Sequence, residues 1–378
     1  MLVKKIPLID LAGQYRSIKE EIDTAVQNVF DSGHFVLGPN VAALEKEIAA
    51  YTGTEYAVGV ASGTDALILG LKALGIGAGD EVIVPAYTFF ASVGSVMQVG
   101  ATPVFAEVRP DTYCFDVKSV AAKITPRTKA IMPVHLYGHP TDMDALLDLA
   151  KQHNLYVIED NAQGIGAEYK GRKTGSLGDI GCLSFFPSKN LGGFGDGGMI
   201  TTNNSELADK VRMLRTHGWR KKYDPEFLGY NSRLDELQAA ILRVKLRHID
   251  RWNERRRELA AEYGRQLAGL NVGLPYADSD VNHVYHLYII RVSNRSEVEQ
   301  QFKQEGIDTA VYYPIPPHLT KPCQAMGYAE GSFPISEQAS KETLAIPIFP
   351  EMTDEQVQRV VSVLKKCATP ASVFAAKE

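Results

Sequence analysis

SFFPSKNLGGFGDGG, Ser184 to Gly198, sets one lysine between an aromatic strand end and a run with five glycines. Ser184 closes an apolar run. Pro187 cannot donate to a sheet ladder and stops the strand, so Lys189 falls in the turn that follows. A lysine desolvated beside aromatic rings holds a depressed pKa and attacks carbonyl carbon as an amine, which is Schiff-base chemistry. The same residue also reads as a solvated loop charge or a phosphate clamp. Gly193, Gly195 and Gly198 match the GxGxxG spacing of a dinucleotide loop. That loop must open a helix, however, and the MITT that follows reads as a strand.

Outward from this stretch the chain alternates apolar β-branched runs with amphipathic helical patterns, the signature of an α/β fold. AVGVAS (57–62), EVIVPA (81–86), TPVFAEV (102–108), KAIMPVH (129–135), LYVIED (155–160), IGCLSFF (180–186) and GMITT (198–202) read as strands. Most are continuous apolar runs, as expected where both faces of a mostly parallel sheet are covered. Helical patterns at 64–74, 92–100, 141–154 and 205–218 supply the crossovers on both faces, with Thr141 and Ser205 as expected N-caps. From 234 to 270 the pattern becomes one long helical stretch that bridges two domains. The expected division is a large α/β domain over 1–248 and a small C-terminal α+β domain over 249–378, the last ten residues forming a frayed tail.

With 378 residues, the chain exceeds the size at which single cores stop growing. A hydrophobic fraction of 45% and a net charge of −5 fit a soluble globular protein with no general attraction to nucleic acid. The mixed-sign segment RWNERRRE (251–258) reads as a solvated helix face. Cys114, Cys182, Cys323 and Cys367 are widely spaced, form no CxxC pair and suggest a reducing compartment. Charge and proline come too early for a signal peptide and no run is long enough for a membrane span, so a cytoplasmic location is expected. His135 and His139 fall on a strand end and turn, His283 and His286 point to opposite faces of a strand-like run, and no metal is expected.

Ligands of open α/β sheets lie beyond the carboxyl ends of strands, and three such ends carry chemistry. Ser62-Gly63-Thr64 leads a strand into a helix and offers backbone N–H groups and a hydroxyl to a phosphate, or simply a capping turn. Glu159 and Asp160 close an apolar strand at a depth where a carboxylate needs a cation or several donors, and they also read as caps of the next turn. Gln163 returns to the same rim. With Lys189, the set suits pyridoxal phosphate, which needs an amine for its aldehyde, an acid for its pyridine nitrogen and donors for its phosphate.

These residues resemble the DegT-type sugar-nucleotide aminotransferases, pyridoxal-phosphate enzymes of fold-type I. The resemblance runs from IPLIDLAGQY through GHFVLGPNVAALEKEIA, ASGTDAL, GDEVIVPAYTFFAS, IEDNAQ, SFFPSKNLGGFGDGG and GYNSRLDELQAA to LAIPIFPEMT, in order. It implies that Lys189 holds the cofactor as a Schiff base and shuttles its proton, and that Asp160 pairs with the pyridinium. It further implies that Gly63, Thr64 and Ser184 bind the phosphate, Phe89 stacks on the ring and Gln163 meets the ring hydroxyl. Asn231 would cross a homodimer interface to the neighbour's phosphate. His217, Lys221, Tyr223, Arg233, Tyr312 and His318 are implied contacts of the sugar or nucleotide. The implied reaction passes an amine from glutamate to a keto sugar of a nucleotide-diphosphate sugar, at the 3-position in preference to the 4-position. Lys189 stands where the family's deoxygenating branch has histidine. Asn161 replaces a residue that is often small, and Tyr312 a frequent histidine. Other fold-type I enzymes, such as a dehydratase, aldolase or desulfurase, and a non-catalytic regulator are the competing readings.

Overall fold

The structure is a computed structural model that describes residues 5–367. Its centre is a seven-stranded sheet built from β1 (Tyr56–Val60), β2 (Glu81–Pro85), β3 (Thr102–Ala106), β4 (Thr128–Ile131), β5 (Tyr156–Asp160), β6 (Ile180–Ser184) and β7 (Gly198–Thr202). These are the seven runs singled out in the sequence. Their order across the sheet is β1-β7-β6-β5-β4-β2-β3, and β7 alone runs antiparallel to its neighbours. Every other strand therefore ends at the same edge, and β7 begins there.

Crossover helices α1 (Gly63–Ala73), α2 (Ala91–Gln98), α3 (Met143–His153) and α4 (Ser205–Leu214) return the chain between strands. Ser62 caps α1 by accepting the Asp65 N–H at 3.0 Å. Leu67, Leu69 and Leu71 of α1 are buried in the sheet's apolar cluster, each contributing roughly 1.5–3 kcal/mol. The expected caps shift at the other two helices. Asp142, not Thr141, precedes α3, and Thr141 instead donates its N–H to His135 Nδ1 at 3.1 Å. Asn204, not Ser205, caps α4, because its carbonyl oxygen accepts the N–H groups of Glu206 and Leu207.

The long helical stretch is two helices, α5 (Glu236–Leu246) and α6 (Ile249–Leu267). Between them the backbone tightens to bonds from Arg247 N–H to Val244 O and from His248 N–H to Lys245 O, which turns the axis. RWNERRRE is not wholly solvated: Trp252, Asn253 and Arg256 are buried at helical spacing, and Arg251, Glu254 and Glu258 face water. A second apolar cluster joins α6 to the antiparallel pair β8 (Tyr288–Arg291) and β9 (Thr343–Ile346) and to the helices α7 (Arg295–Gln304) and α8 (Asp354–Cys367). Ile6 enters that cluster through a bridge to Ile307, whereas Cys323 and Phe333 pack into the sheet's cluster. The expected frayed tail lies outside the described residues. Among the described residues no helix is long and apolar enough to cross a membrane.

Candidate active site

A cavity of about 300 Å³ opens at the edge where the strands end. Every strand but β3 contributes to its wall: Ser62, Gly63 and Thr64 after β1, Thr88 and Phe89 after β2, Val134 after β4, Asp160 and Gln163 at β5, Ser184 at β6 and Gly197 before β7. Lys189 lies in the same wall, and His286, Leu287, Tyr312 and Tyr313 complete the lining. Three stretches that are far apart in sequence, around 63, 160 and 189, thus meet because the sheet order places β1, β5 and β6 within three strands of one another.

Backbone crowding shapes the cradle. A Cβ on Gly63 would stand 2.6 Å from Ser184 Cβ, and one on Gly198 would stand 2.3 Å from Ser62 O. Only glycine lets the α1 N-terminus, the Ser184 hydroxyl and the start of β7 close to this distance, with free N–H groups of the first turn at the cavity rim.

The two carboxylates at the end of β5 face different surroundings. Glu159 is sealed and accepts the N–H groups of Gly175, Leu177 and Gly178, each at 2.7 Å, with His135 Nε2 at 2.9 Å. Burial pushes its pKa up, but the bonds from His135 and from the glycine N–H groups outweigh that and leave it below the ordinary range. Glu159 is therefore a strap for the loop at 175–178. Asp160 turns to the cavity with fewer donors, Ser92 Oγ at 2.7 Å and Ala162 N–H at 3.2 Å. Burial raises its pKa, opposed by those two bonds and by the charge of Lys189. A carboxylate so placed gains by meeting a further cationic N–H.

Lys189 is half-buried, and its pKa is lowered to about 8 by burial, against the opposing pull of Asp160. An amine with that pKa is substantially neutral under mildly alkaline conditions, as a nucleophile toward an aldehyde must be. Gln163 has its oxygen on the Tyr137 N–H at 2.6 Å and its amide nitrogen on Tyr313 Oη at 3.1 Å, which fixes its orientation at the rim. Phe89 is 58% exposed, with its ring 5.8 Å from that of Tyr313. Donor cradle, acid, amine and flanking aromatic rings together match the polar groups of pyridoxal phosphate.

Residues 16–365 match the model of the DegT/DnrJ/EryC1/StrS aminotransferase family. The chain belongs to that family. Its cofactor is pyridoxal phosphate, and its fold is that of fold-type I enzymes. The chain is 49% identical over 359 residues to a pleiotropic regulatory protein of Geobacillus stearothermophilus, covering 94% of this chain and 96% of the relative. It is 47% identical over 365 residues to the dTDP-3-amino-3,4,6-trideoxy-alpha-D-glucose transaminase of Streptomyces venezuelae, covering 96% of each. The solved structure of Streptomyces venezuelae DesV superposes with a TM-score of 0.95 at 47% identity, covering 97% of this chain and all of that one.

Not every implied contact reaches the cavity of this DegT-family chain. Tyr312 lines it, and its carbonyl accepts the Tyr87 hydroxyl at 2.6 Å. His318 does not: it is sealed beside Phe105 and Phe333, with Nε2 3.2 Å from Glu337 Oε1, because the turn at 317–319 packs onto the sheet's aromatic cluster. His217, Lys221 and Tyr223 lie exposed on or beside the hairpin that pairs Trp219–Lys221 with Asp224–Pro225. Asn231 and Arg233 line a neighbouring cavity that shares Ser62 and Asp196 with the first. Asn161 donates to Thr174 O at 2.9 Å and accepts the Thr174 hydroxyl at 2.8 Å, so the larger residue at this position is a satisfied buried amide.

Sequence reasoning missed Ser92, Thr88 and His286. Thr88 and Ser92 were visible in PAYTFFAS at i,i+4 spacing just after a strand end, and their hydroxyls stand 2.7 Å apart. Among the described residues no group of three or more His, Cys, Asp or Glu side chains is placed to hold a metal.

Proposed function

We propose that the protein uses pyridoxal phosphate to move an amino group from L-glutamate to a keto sugar carried on a nucleoside diphosphate, at the 3-position in preference to the 4-position, for amino-sugar biosynthesis. The observation that carries this reading is Lys189 beside Asp160 at one sheet edge, in a chain matched to the aminotransferase family from 16 to 365. The Streptomyces venezuelae relative, named for a 3-amino sugar, supports the position of the amine.

When bound, the cofactor supplies an electron sink for the carbon that carries the amine. Lys189 then acts as the positioned general base and acid that moves a proton to and from that carbon. Asp160 keeps its negative charge for the pyridine nitrogen, and Ser92 and the Ala162 N–H aim it. Gly63, Thr64 and Ser184 hold the phosphate at the α1 N-terminus, where N–H groups and the helix dipole favour an anion. Gln163 meets the ring hydroxyl, and Phe89 covers the ring face. Tyr312 faces the sugar. Asn231 serves the site of a second copy in a homodimer, and His217, Lys221, Tyr223 and Arg233 serve the sugar or nucleotide. That assembly is supported by the exposed large hydrophobic side chains Tyr223, Leu228 and Tyr230 on the same segment, more apolar surface than a solitary chain usually leaves open. The same proposal includes a cytoplasmic enzyme divided near residue 248, a division supported by the turn between α5 and α6.

A desulfurase needs an accessible thiolate. Cys114, Cys182 and Cys323 are buried and burial raises their pKa, for Cys114 to about 11, which favours the inert thiol.

The test is to load the full chain with pyridoxal phosphate, add glutamate alone and follow the visible spectrum. dTDP- and UDP-linked 3-keto and 4-keto sugars are then supplied, and the new amine is located by NMR. Conversion to pyridoxamine phosphate and an amine on carbon 3 are expected. An unchanged spectrum with glutamate would remove the donor, and an amine on carbon 4 would overturn the position.

A further inference from the structure

His286 lines the cavity together with Lys189, is 4% exposed and has no part in the scheme above. Its tautomer is fixed by a buried chain of amides whose two ends are backbone carbonyls. Asn253 Nδ2 donates to Ile165 O at 3.1 Å, so its oxygen must face Asn190, and Asn190 Nδ2 donates to that oxygen at 2.7 Å and to Val284 O at 3.2 Å. Asn190 is left with its oxygen toward His286 Nδ1 at 3.2 Å, and an oxygen there demands an N–H. His286 therefore carries its proton on Nδ1. Nε2 is a bare acceptor with no partner among the described residues, and it is not one of the sealed unpartnered atoms, so it opens to the cavity.

The surroundings hold this arrangement from both sides. Asn190 directly follows Lys189 in sequence and is 5% exposed. Asn253 and Arg256 are buried on the same face of α6, and Arg256 donates to the carbonyls of Tyr285, His286 and Ile348. One helix thus anchors the neighbour of Lys189 and the backbone of His286 together. Burial, with the charges of Lys189 and Arg256, keeps the imidazole neutral, its pKa well below the ordinary value.

We propose that His286 is a positioning residue for Lys189: its Nε2 is the acceptor to which the lysine amine turns, by rotation of its stem, on leaving the cofactor, and the Asn253–Asn190 chain exists to keep Nε2 unprotonated for this task. The lysine stem is long and flexible, and an amine that must return to the same carbon in every cycle gains from a fixed acceptor. A neutral acceptor suits the purpose better than a carboxylate, which would hold the amine as a firmly paired ammonium. The inference rests on Lys189 being the cofactor lysine.

The titratable groups that line the cavity with Lys189 are Asp160, Asp196, His286, Tyr312 and Tyr313, so its titration must be followed at the residue itself. On the full chain stripped of cofactor, the pH dependence of reductive methylation at Lys189 is read by peptide mass spectrometry in wild type, His286→Phe and His286→Gln. Removing an acceptor from an ammonium lowers its pKa by about one unit, the worth of one charged hydrogen bond. His286→Phe is expected to lower the Lys189 midpoint by about that much and His286→Gln, whose amide oxygen replaces Nε2, to restore it. With cofactor bound, His286→Phe lowers kcat about tenfold and leaves KM for the keto sugar unchanged. An equal midpoint in wild type and a folded His286→Phe overturns the proposal, as does a midpoint in His286→Gln as low as in His286→Phe. Should His286→Phe not fold, Asn190→Ala, which removes the oxygen that keeps the proton on His286 Nδ1, decides the matter: its midpoint falls if the proposal holds and stays if it does not. A protein that ignored glutamate would end the proposed reaction and leave this titration standing.

Discussion

Lys189 and Lys245 both touch the glycine-rich loop, and burial brings both to a pKa of about 8. Lys189 belongs to the loop and lines a cavity beside Asp160. Lys245 reaches the loop from α5, is 1% exposed and donates to Gly192 O at 2.5 Å. The first amine has room for a substrate atom and an acid close by; the second has a carbonyl and a sealed core. A depressed pKa reports burial in both places, each opposed by one carboxylate, Asp160 or Glu351, and only the open wall turns burial into chemistry.

The largest effect that tests this contrast is on turnover. Lys189→Ala is expected to lower the transamination rate by at least about a thousandfold, since both the nucleophile and the proton carrier go. Lys245→Met is expected to keep turnover within roughly tenfold, because it touches only the back of the loop. Single-turnover rates with glutamate measure both. Equal losses in the two variants would break the comparison.

A second difference lies in pH and stability. The unfolded chain holds Lys245 at the ordinary 10.5 and the folded chain at about 8. Between these values the unfolded state binds the extra proton, so this residue makes stability rise as pH climbs from about 8 to about 10.5 and adds a constant penalty below. The full span corresponds to about 3 kcal/mol. Urea unfolding at several pH values should show the wild type gaining on Lys245→Met across that window by up to this amount. Parallel curves for the two proteins would mean that Lys245 sits in the fold without its charge being strained.

Most of the fold could be read from the sequence because the strands are continuous apolar runs with little competing pattern, and all seven reappear in the sheet. Helix ends were harder. Asn204 and Ser205 are both good caps, and only the observed bonds to Glu206 and Leu207 choose between them. The stretch from 234 to 270 kept its helical period through Arg247 and His248, and the turn there is set by packing onto two clusters, which leaves no local signal. In the site, Lys189, Asp160, Gly63 and Ser184 stood out by residue type at strand ends. His286 did not, because its meaning depends on Asn190 and Asn253, residues from two other elements whose side chains give no hint of meeting. RWNERRRE misled for the same reason: its charge hid an asparagine and an arginine that face inward.

The smallest effect concerns the aiming of Asp160. Ser92 Oγ donates to Asp160 Oδ2 at 2.7 Å, and Thr88 Oγ1 stands 2.7 Å from the same serine hydroxyl. Of the two acids at the end of β5, Glu159 is held by three backbone N–H groups and cannot turn, whereas Asp160 depends on one side chain and one N–H for its orientation. Ser92→Ala removes a charge-assisted bond from a buried carboxylate. Its pKa, already raised by burial, should climb further, so that the folded protein carries a smaller anionic fraction there. A neutral acid binds a pyridinium less well, and the loss of one such bond corresponds to about tenfold in cofactor affinity. Equilibrium dialysis of pyridoxal phosphate against wild type and Ser92→Ala reads the effect directly, with Ser92→Thr, which keeps the hydroxyl, expected to hold the wild-type affinity. Unchanged affinity in Ser92→Ala would show that the Ala162 N–H alone orients Asp160, and that the contrast between the two carboxylates lies only in the faces of the strand they occupy.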